Sequence, residues 1–187
     1  VKPRLVIVIG PTAVGKSSIL DHALRDFPAL CDIITYTTRP MRAGESEGNP
    51  YHFVTEQTFK ELIASNTFIE WAIVHGNMYG TPRTQVEATT KNGKVCIMDI
   101  DVQGAKKLIS EYPNAVTIFL KPPSMDALRH RFIKRGITSE ADLAKRLESA
   151  RVEMAQAEDF QHVIINDDFD SAYAQVRKII ENLLKNQ

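Results

Sequence analysis

The stretch GPTAVGKSS at positions 10–18 follows directly on the branched apolar run RLVIVI. Gly10, Pro11, Thr12, Ala13, Val14, Gly15, Lys16 and Ser17 fit the pattern G-x-x-x-x-G-K-[ST], and Ser18 adds a second hydroxyl. Each fixed position has a chemical reason. The two glycines permit backbone shapes that a side chain would hinder, so the loop turns its N–H groups inward around phosphate oxygens at a helix N-terminus. Lys16 is placed to reach the outer phosphates of a nucleotide, and the Ser17 hydroxyl to ligate Mg2+. Ala13 fits such a loop only if its φ is negative. The competing reading, a glycine turn into an ordinary helix, is weakened by the strand pattern before the loop and the helix pattern after it.

A second group of candidates lies at VCIMDID, residues 95–101. Asp99 and Asp101 end an apolar strand, at the carboxyl edge where parallel sheets bind ligands. A carboxylate there orients metal-bound water or holds a substrate hydroxyl. Asp101 has an equally good reading as the cap of the helix that opens with VQGAKKL. Arginines supply the opposite charge. Arg39 and Arg42 lie in TTRPMRAGE; Arg131 and Arg135, four apart, share one helix face; Arg146 follows on the next helix. Phosphoryl transfer asks for positive charge around the migrating group and for little else. The split of these arginines points to one group that holds an acceptor phosphate and another that closes over the donor.

The elements that must position these residues alternate in type. RLVIVI, KVCIMDI, AVTIFL and HVIIN read as buried strands, being short and rich in branched residues. KSSILDHALRDF has helical spacing and stops before Pro28. Further helices are expected at about 102–111, 124–135, 139–157 and 168–185. Strands alternating with helices imply an α/β fold whose parallel sheet is covered on both faces. Residues 34–90 break the rhythm and read as an insertion. In it PYHFV and TFIEWAIV are short strands, TEQTFKELIAS is a helix, and TPRTQVEATTKNG is another helix with Pro82 in its first turn. The polar turn RGITSE marks a second, smaller insertion. The sequence has no internal repeat.

Composition narrows the function classes. A chain of 187 residues with 43% apolar content is long enough for one domain with a real core. The 23 Lys and Arg balance 23 Asp and Glu, so the protein is a poor electrostatic match for duplex DNA or an acidic membrane, and neither is an expected partner. No apolar run approaches the length of a membrane span, and no secretory leader is recognisable. Cys31 and Cys96 lack metal-ligand spacing and read as two buried small residues in a reducing compartment, which points to the cytoplasm. The chain opens on Val1, which leaves room for a longer parent protein.

Together, GPTAVGKSS, TTRPMRAGE, YHF, FIEWA, GNMYGT, DIDVQG, RFIKRG, KRL and INDD resemble the guanylate kinases in order and spacing over nearly the whole chain. The resemblance implies a P-loop three-layer α/β/α core at 1–33 and 91–187. It also implies a GMP-binding insertion at about 34–90 and a lid at about 131–147. It implies Mg2+-dependent transfer of the terminal phosphoryl group of ATP to GMP. Carried onto this sequence, Arg39, Arg42, Tyr51 and Tyr79 would hold the GMP phosphate. Thr35, Glu70 and Thr81 would read guanine. Asp99 and Asp101 would lie between the acceptor and the metal, with Ser17 and Asp99 as the metal's protein ligands. Gly10 through Ser18 would cradle ATP, Arg131, Arg135 and Arg146 would grip its phosphates, and Asn166 would lie beside the adenine. The catalytic group is then Lys16, Arg39, Arg42, Arg135, Arg146 and Asp99.

The guanine assignment has a physical basis of its own. Guanine offers two donors, N1–H and the 2-amino group, beside the acceptor O6. A carboxylate accepts both donors, and threonine hydroxyls donate to O6. Taken without the resemblance, Glu70 reads instead as an exposed strand charge next to Trp71. The sequence departs from the commonest pattern at Thr12-Ala13, where Ser-Gly is usual, at Thr35, which keeps a serine's hydroxyl, at Met78, where a tyrosine is common, and at the bulky Tyr36. Two rivals remain. One is a guanylate-kinase-like scaffold domain that binds phosphopeptides, against which the intact loop argues. The other is a P-loop kinase with a different acceptor.

Overall fold

The computed structural model describes residues 3–137 and 139–185. In chain order the elements are β1 (Leu5–Ile9), α1 (Lys16–Asp26), β2 (Leu30–Asp32), β3 (Tyr36–Thr37), β4 (His52–Phe53), α2 (Glu56–Ala64), β5 (Phe68–Val74) and β6 (Asn77–Pro82). They continue with α3 (Arg83–Lys91), β7 (Val95–Asp99), α4 (Val102–Glu111), β8 (Val116–Lys121), α5 (Met125–Lys134), α6 (Glu140–Met154), β9 (His162–Ile165) and α7 (Phe169–Lys185). The main sheet has strand order β2-β7-β1-β8-β9, and a second sheet has order β4-β3-β6-β5. The expected α/β class with a parallel sheet is what forms. β2 pairs with β7, β1 with β8 and β8 with β9, all parallel. Every side chain of β1 is buried, at 1% exposure or less, as its unbroken apolar run requires.

The chain divides into two compact units. Among the described residues, the first comprises 3–5 and Pro28–Ala115, and the second comprises Val6–Phe27 and 116–185. In the first unit, β5 and β6 form an antiparallel hairpin whose two-residue connection, His75-Gly76, has positive φ at both positions (49° and 80°). That is the twist a tight hairpin needs. β6 was not expected from GNMYGTP, because its glycine and proline hide the alternation. Pro82 ends this strand and serves as the N-cap of α3, one position before the first helical turn where the sequence pattern put it. β2 and β3 are likewise short strands that the pattern of residues 30–37 did not disclose. Cys31 lies opposite Cys96 in the β2–β7 register; Cys96 is buried as expected, whereas Cys31 is only half-buried, because β2 is the end strand of the sheet.

In the second unit the loop after β1 leads into α1, and α5 and α6 pack as a helical pair. The cluster Ala13, Leu128, Phe132, Leu143 and Ala150 joins the loop to that pair, with Met125, Ile137 and Leu147 around it. The helices end where the capping chemistry dictates. Ser124 caps α5 by accepting from Ala127 N–H, and Ser139 caps α6 by accepting from Asp142 N–H. Of the turn RGITSE, Thr138 lies outside the described residues.

Candidate functional site

The residues singled out in the sequence fall into two sets, one in each unit. In the second unit the loop 10–15 runs from β1 into α1. Gly10 (φ 143°) and Gly15 (φ 111°) adopt backbone that side chains resist. A Cβ at Gly10 would stand 2.4 Å from the Leu120 carbonyl oxygen, and one at Gly15 2.5 Å from Asn166 Nδ2. Gly15 is the N-cap of α1 and contributes no side-chain hydrogen bond there, so no side chain of its own covers the first-turn N–H groups. Ala13 departs from expectation: its φ is +68°, the left-handed region, not a negative value. The strain of placing an alanine there, about 1 kcal/mol, is largely offset by seating its methyl in the cluster with Phe132 and Leu128.

Lys16 bends back over the loop and donates to the carbonyls of Gly10 (2.6 Å) and Pro11 (3.3 Å). Ser17 and Ser18 are exposed on the first turn of α1. Arg131 donates to the Val14 carbonyl (3.2 Å) and the Asn166 carbonyl (2.8 Å). The Asn166 side chain, 5% exposed, donates to the same Val14 carbonyl (2.8 Å). Both residues therefore hold the backbone of the loop directly. Arg135 is the exposed C-cap of α5, and Arg146 lies half-buried on α6.

The first unit contains the other set. β5 and β6 place Glu70 directly opposite Thr81, and the Thr81 hydroxyl donates to Glu70 Oε1 (2.5 Å). Glu70 is 5% exposed, so the reading of it as an exposed strand charge is wrong: the strand's neighbours, not its local sequence, decide its burial. Burial pushes its carboxyl up to about 7, the Thr81 hydrogen bond works against that, and the nearby Asp101 charge adds to it. Thr81 spends its proton on Glu70, so its part is to orient the carboxylate; the buried Thr35 hydroxyl is the other candidate donor.

Asp101 caps α4, accepting from Gln103 N–H and Gly104 N–H (both 3.1 Å), so the capping half of its double reading is realised. Asp99 ends β7, two residues before that cap. Arg39, 9% exposed, makes a two-pronged pair with Glu45 (2.8 and 3.0 Å) and lies 5.3 Å from the centre of the Tyr51 ring. That pair holds Glu45 well below the usual carboxylate range. Burial is the main force pushing the Tyr51 hydroxyl up, and Asp99 reinforces it. Tyr51 and Tyr79 meet edge to face at 5.8 Å. Arg42 is exposed, and its N–H donates to Glu45.

Two residues at this set were not singled out in the sequence. Glu45 organises both arginines of TTRPMRAGE, and a carboxylate at that spacing in an arginine-rich loop is the pattern that would have disclosed it. Lys107 donates to the Trp71 carbonyl and lies 5.1 Å from that indole's centre. No local pattern marks Lys107, because its partner lies 36 residues away.

One set is thus suited to a polyphosphate and the other to an aromatic base and a phosphate. The family model for guanylate kinase matches residues 2–183. A guanylate kinase of Bdellovibrio bacteriovorus is 42% identical over 98% of this chain and 99% of its own length. One from Symbiobacterium thermophilum is 43% identical over 96% of this chain and 86% of its own. The crystal structure of guanylate kinase from Anaplasma phagocytophilum superposes with a TM-score of 0.78 at 31% identity, covering 97% of this chain and 86% of that one. This chain, with its intact phosphate loop and its buried glutamate–threonine pair, belongs to the guanylate kinase family.

Proposed function

We propose that this protein transfers the terminal phosphoryl group of ATP to GMP, giving ADP and GDP. The observation that carries the choice of acceptor is the buried carboxylate of Glu70, oriented by Thr81. Guanine's N1–H and 2-amino group both donate to a carboxylate, and the Thr35 hydroxyl serves O6. Adenine would turn a lone pair toward Glu70 instead, and a buried polar site mispaired in this way can reject an analogue by roughly 10⁴-fold.

The remaining roles follow from charge. Arg39, Arg42, Tyr51 and Tyr79 bind the GMP phosphate, with Glu45 keeping the Arg39 guanidinium in place. Gly10 through Ser18 cradle the ATP phosphates, and Lys16 exchanges its contacts with the Gly10 and Pro11 carbonyls for phosphate oxygens. Arg131 and Asn166 fix the shape of the loop that does this. Arg135 and Arg146 add positive charge from the lid helices. The attacking atom is a GMP phosphate oxygen, already ionised at neutral pH, so no side-chain base is needed. The protein's contribution is alignment, exclusion of water and compensation of the repulsion between two anions.

Mg2+ is the expected cofactor. Among the described residues no group of three or more His, Cys, Asp or Glu could hold a metal by itself. The donors we assign to it are hard oxygens, the Ser17 hydroxyl and the Asp99 carboxylate, whose chemistry would suit an ion carried mainly by the nucleotide phosphates and water. When bound, it supplies charge neutralisation on the phosphates. The substrates are nucleotides of the cytoplasm, and we assign the protein there.

The experiment is a coupled assay for ADP formation with ATP, Mg2+ and each of GMP, AMP, CMP and UMP. Turnover with GMP far above the other three is expected. Comparable turnover with AMP would refute the role given to Glu70, and none with any acceptor would leave only a binding module. The phosphopeptide-scaffold alternative finds no support in the relatives described above.

A further inference from the structure

We propose that Gly104 is a specificity-determining positioning residue: the missing side chain at this point of α4 is what gives the Glu70 carboxylate its place. The proposal rests on the reading of Glu70 as the group that binds guanine.

Gly104 is buried in the first turn of α4. It adopts ordinary helical backbone, so nothing in its conformation calls for glycine, and glycine is a poor helix former. The reason for it is space. A Cβ there would lie 2.6 Å from Glu70 Oε2, 3.0 Å from Asp101 Oδ1 and 3.1 Å from Glu70 Cδ. Neither carboxylate retreats freely. Asp101 is tied by the N–H groups of Gln103 and Gly104 itself, and Glu70 is tied on its other oxygen by Thr81. To restore a contact of 3.4 Å from 2.6 Å, Glu70 Oε2 must recede by about 0.8 Å. A displacement of about 1 Å in a group that aligns a substrate can cost on the order of 100-fold. Gly104 touches no reacting atom in this account and acts only through Glu70.

The test compares Gly104→Ala, Glu70→Ala and the double variant in steady-state titrations of GMP and of ATP, with thermal melts. For Gly104→Ala the KM for GMP should rise at least tenfold while the KM for ATP stays within twofold. Its melting temperature should stay within a few degrees of the parent, because alanine is the better helix former and this offsets part of the cost of displacing a hydrogen-bonded carboxylate. With Glu70 truncated the two Glu70 contacts are gone and only Asp101 Oδ1, at 3.0 Å, still borders the new methyl, so the double variant should match Glu70→Ala in KM for GMP to within about twofold. A merely structural role for Gly104 would instead add its own loss to that of Glu70→Ala, and that result would overturn the proposal. So would an unchanged KM for GMP in Gly104→Ala while Glu70→Ala raises it. If Glu70→Ala leaves the KM for GMP unchanged, the reading of guanine by Glu70 falls and takes this proposal with it. Loss of the fold in Gly104→Ala supports crowding if Glu70→Ala restores it and refutes it if not.

Discussion

Replacing Glu70 by glutamine should stabilise the protein, and by an amount that depends on pH. In the folded state burial raises the Glu70 carboxyl from 4.5 to about 7. A group whose pKa is raised on folding holds its proton more tightly in the native state. Its ionisation therefore costs nothing below pH 4.5, costs progressively more between pH 4.5 and 7, and costs the full amount above pH 7. At about 1.4 kcal/mol per pH unit, that full amount is roughly 3–4 kcal/mol, most of it developing between pH 5 and 8. With only 5% of Glu70 exposed, solvent screening removes little of it. Glutamine keeps the size and an acceptor for the Thr81 hydroxyl but does not titrate. Urea unfolding of both proteins without nucleotide, at half-unit steps from pH 5 to 8.5, measures the difference. The stability of Glu70→Gln relative to the parent should climb by 2–3 kcal/mol across that range. Any fixed change in hydrogen bonding shifts the whole curve without altering its slope. A difference that stays flat from pH 5 to 8.5 would mean that Glu70 ionises at an ordinary pKa, and the account of a desolvated base-reading carboxylate would be refuted.

Other perturbations probe the two sets separately. Lys16→Ala should leave the fold intact and lower turnover by orders of magnitude; near-normal turnover would remove Lys16 from the chemistry. Arg42→Ala should raise the KM for GMP more than that for ATP, and equal effects on both would contradict the assignment of this arginine to the acceptor. Ala13→Gly relieves about 1 kcal/mol of left-handed strain but gives up a buried methyl worth about 0.8 kcal/mol, so its stability should stay within about 1 kcal/mol of the parent. A loss above about 2 kcal/mol by chemical denaturation would show that the cluster of Ala13 with α5 and α6 depends on that methyl more than area burial allows.

Much of the architecture was legible because it is written locally. β1, β7, β8 and β9 carry branched apolar runs, and α4, α5 and α7 fall within a residue or so of their expected limits. α6 ends at Met154, short of the expected 157, where the chain turns into a 3-10 turn at Ala157–Asp159. β2, β3 and β6 were not legible: β2 and β3 are three and two residues long, too short to show an alternation, and β6 contains glycine and proline, so all three are defined by their partners and not by their own pattern.

The site shows the same division more sharply. The loop 10–18, to which we assign the ATP phosphates, is a local device: its glycines, lysine and hydroxyls stand in fixed order between a strand and a helix. The chain's order of residues was enough to place this loop between β1 and α1 and to give the α/β class. The state of Glu70 was decided elsewhere. Its raised pKa comes from burial, with the Asp101 charge adding to it, and its orientation from Thr81 across the hairpin and from the space at Gly104 on α4; these residues lie 31, 11 and 34 positions further along the chain. In the same way Ala13 takes left-handed backbone because a cluster built from α5 and α6 receives its methyl. Desolvation and packing are properties of what surrounds a group in space, and only the folded chain assembles those surroundings.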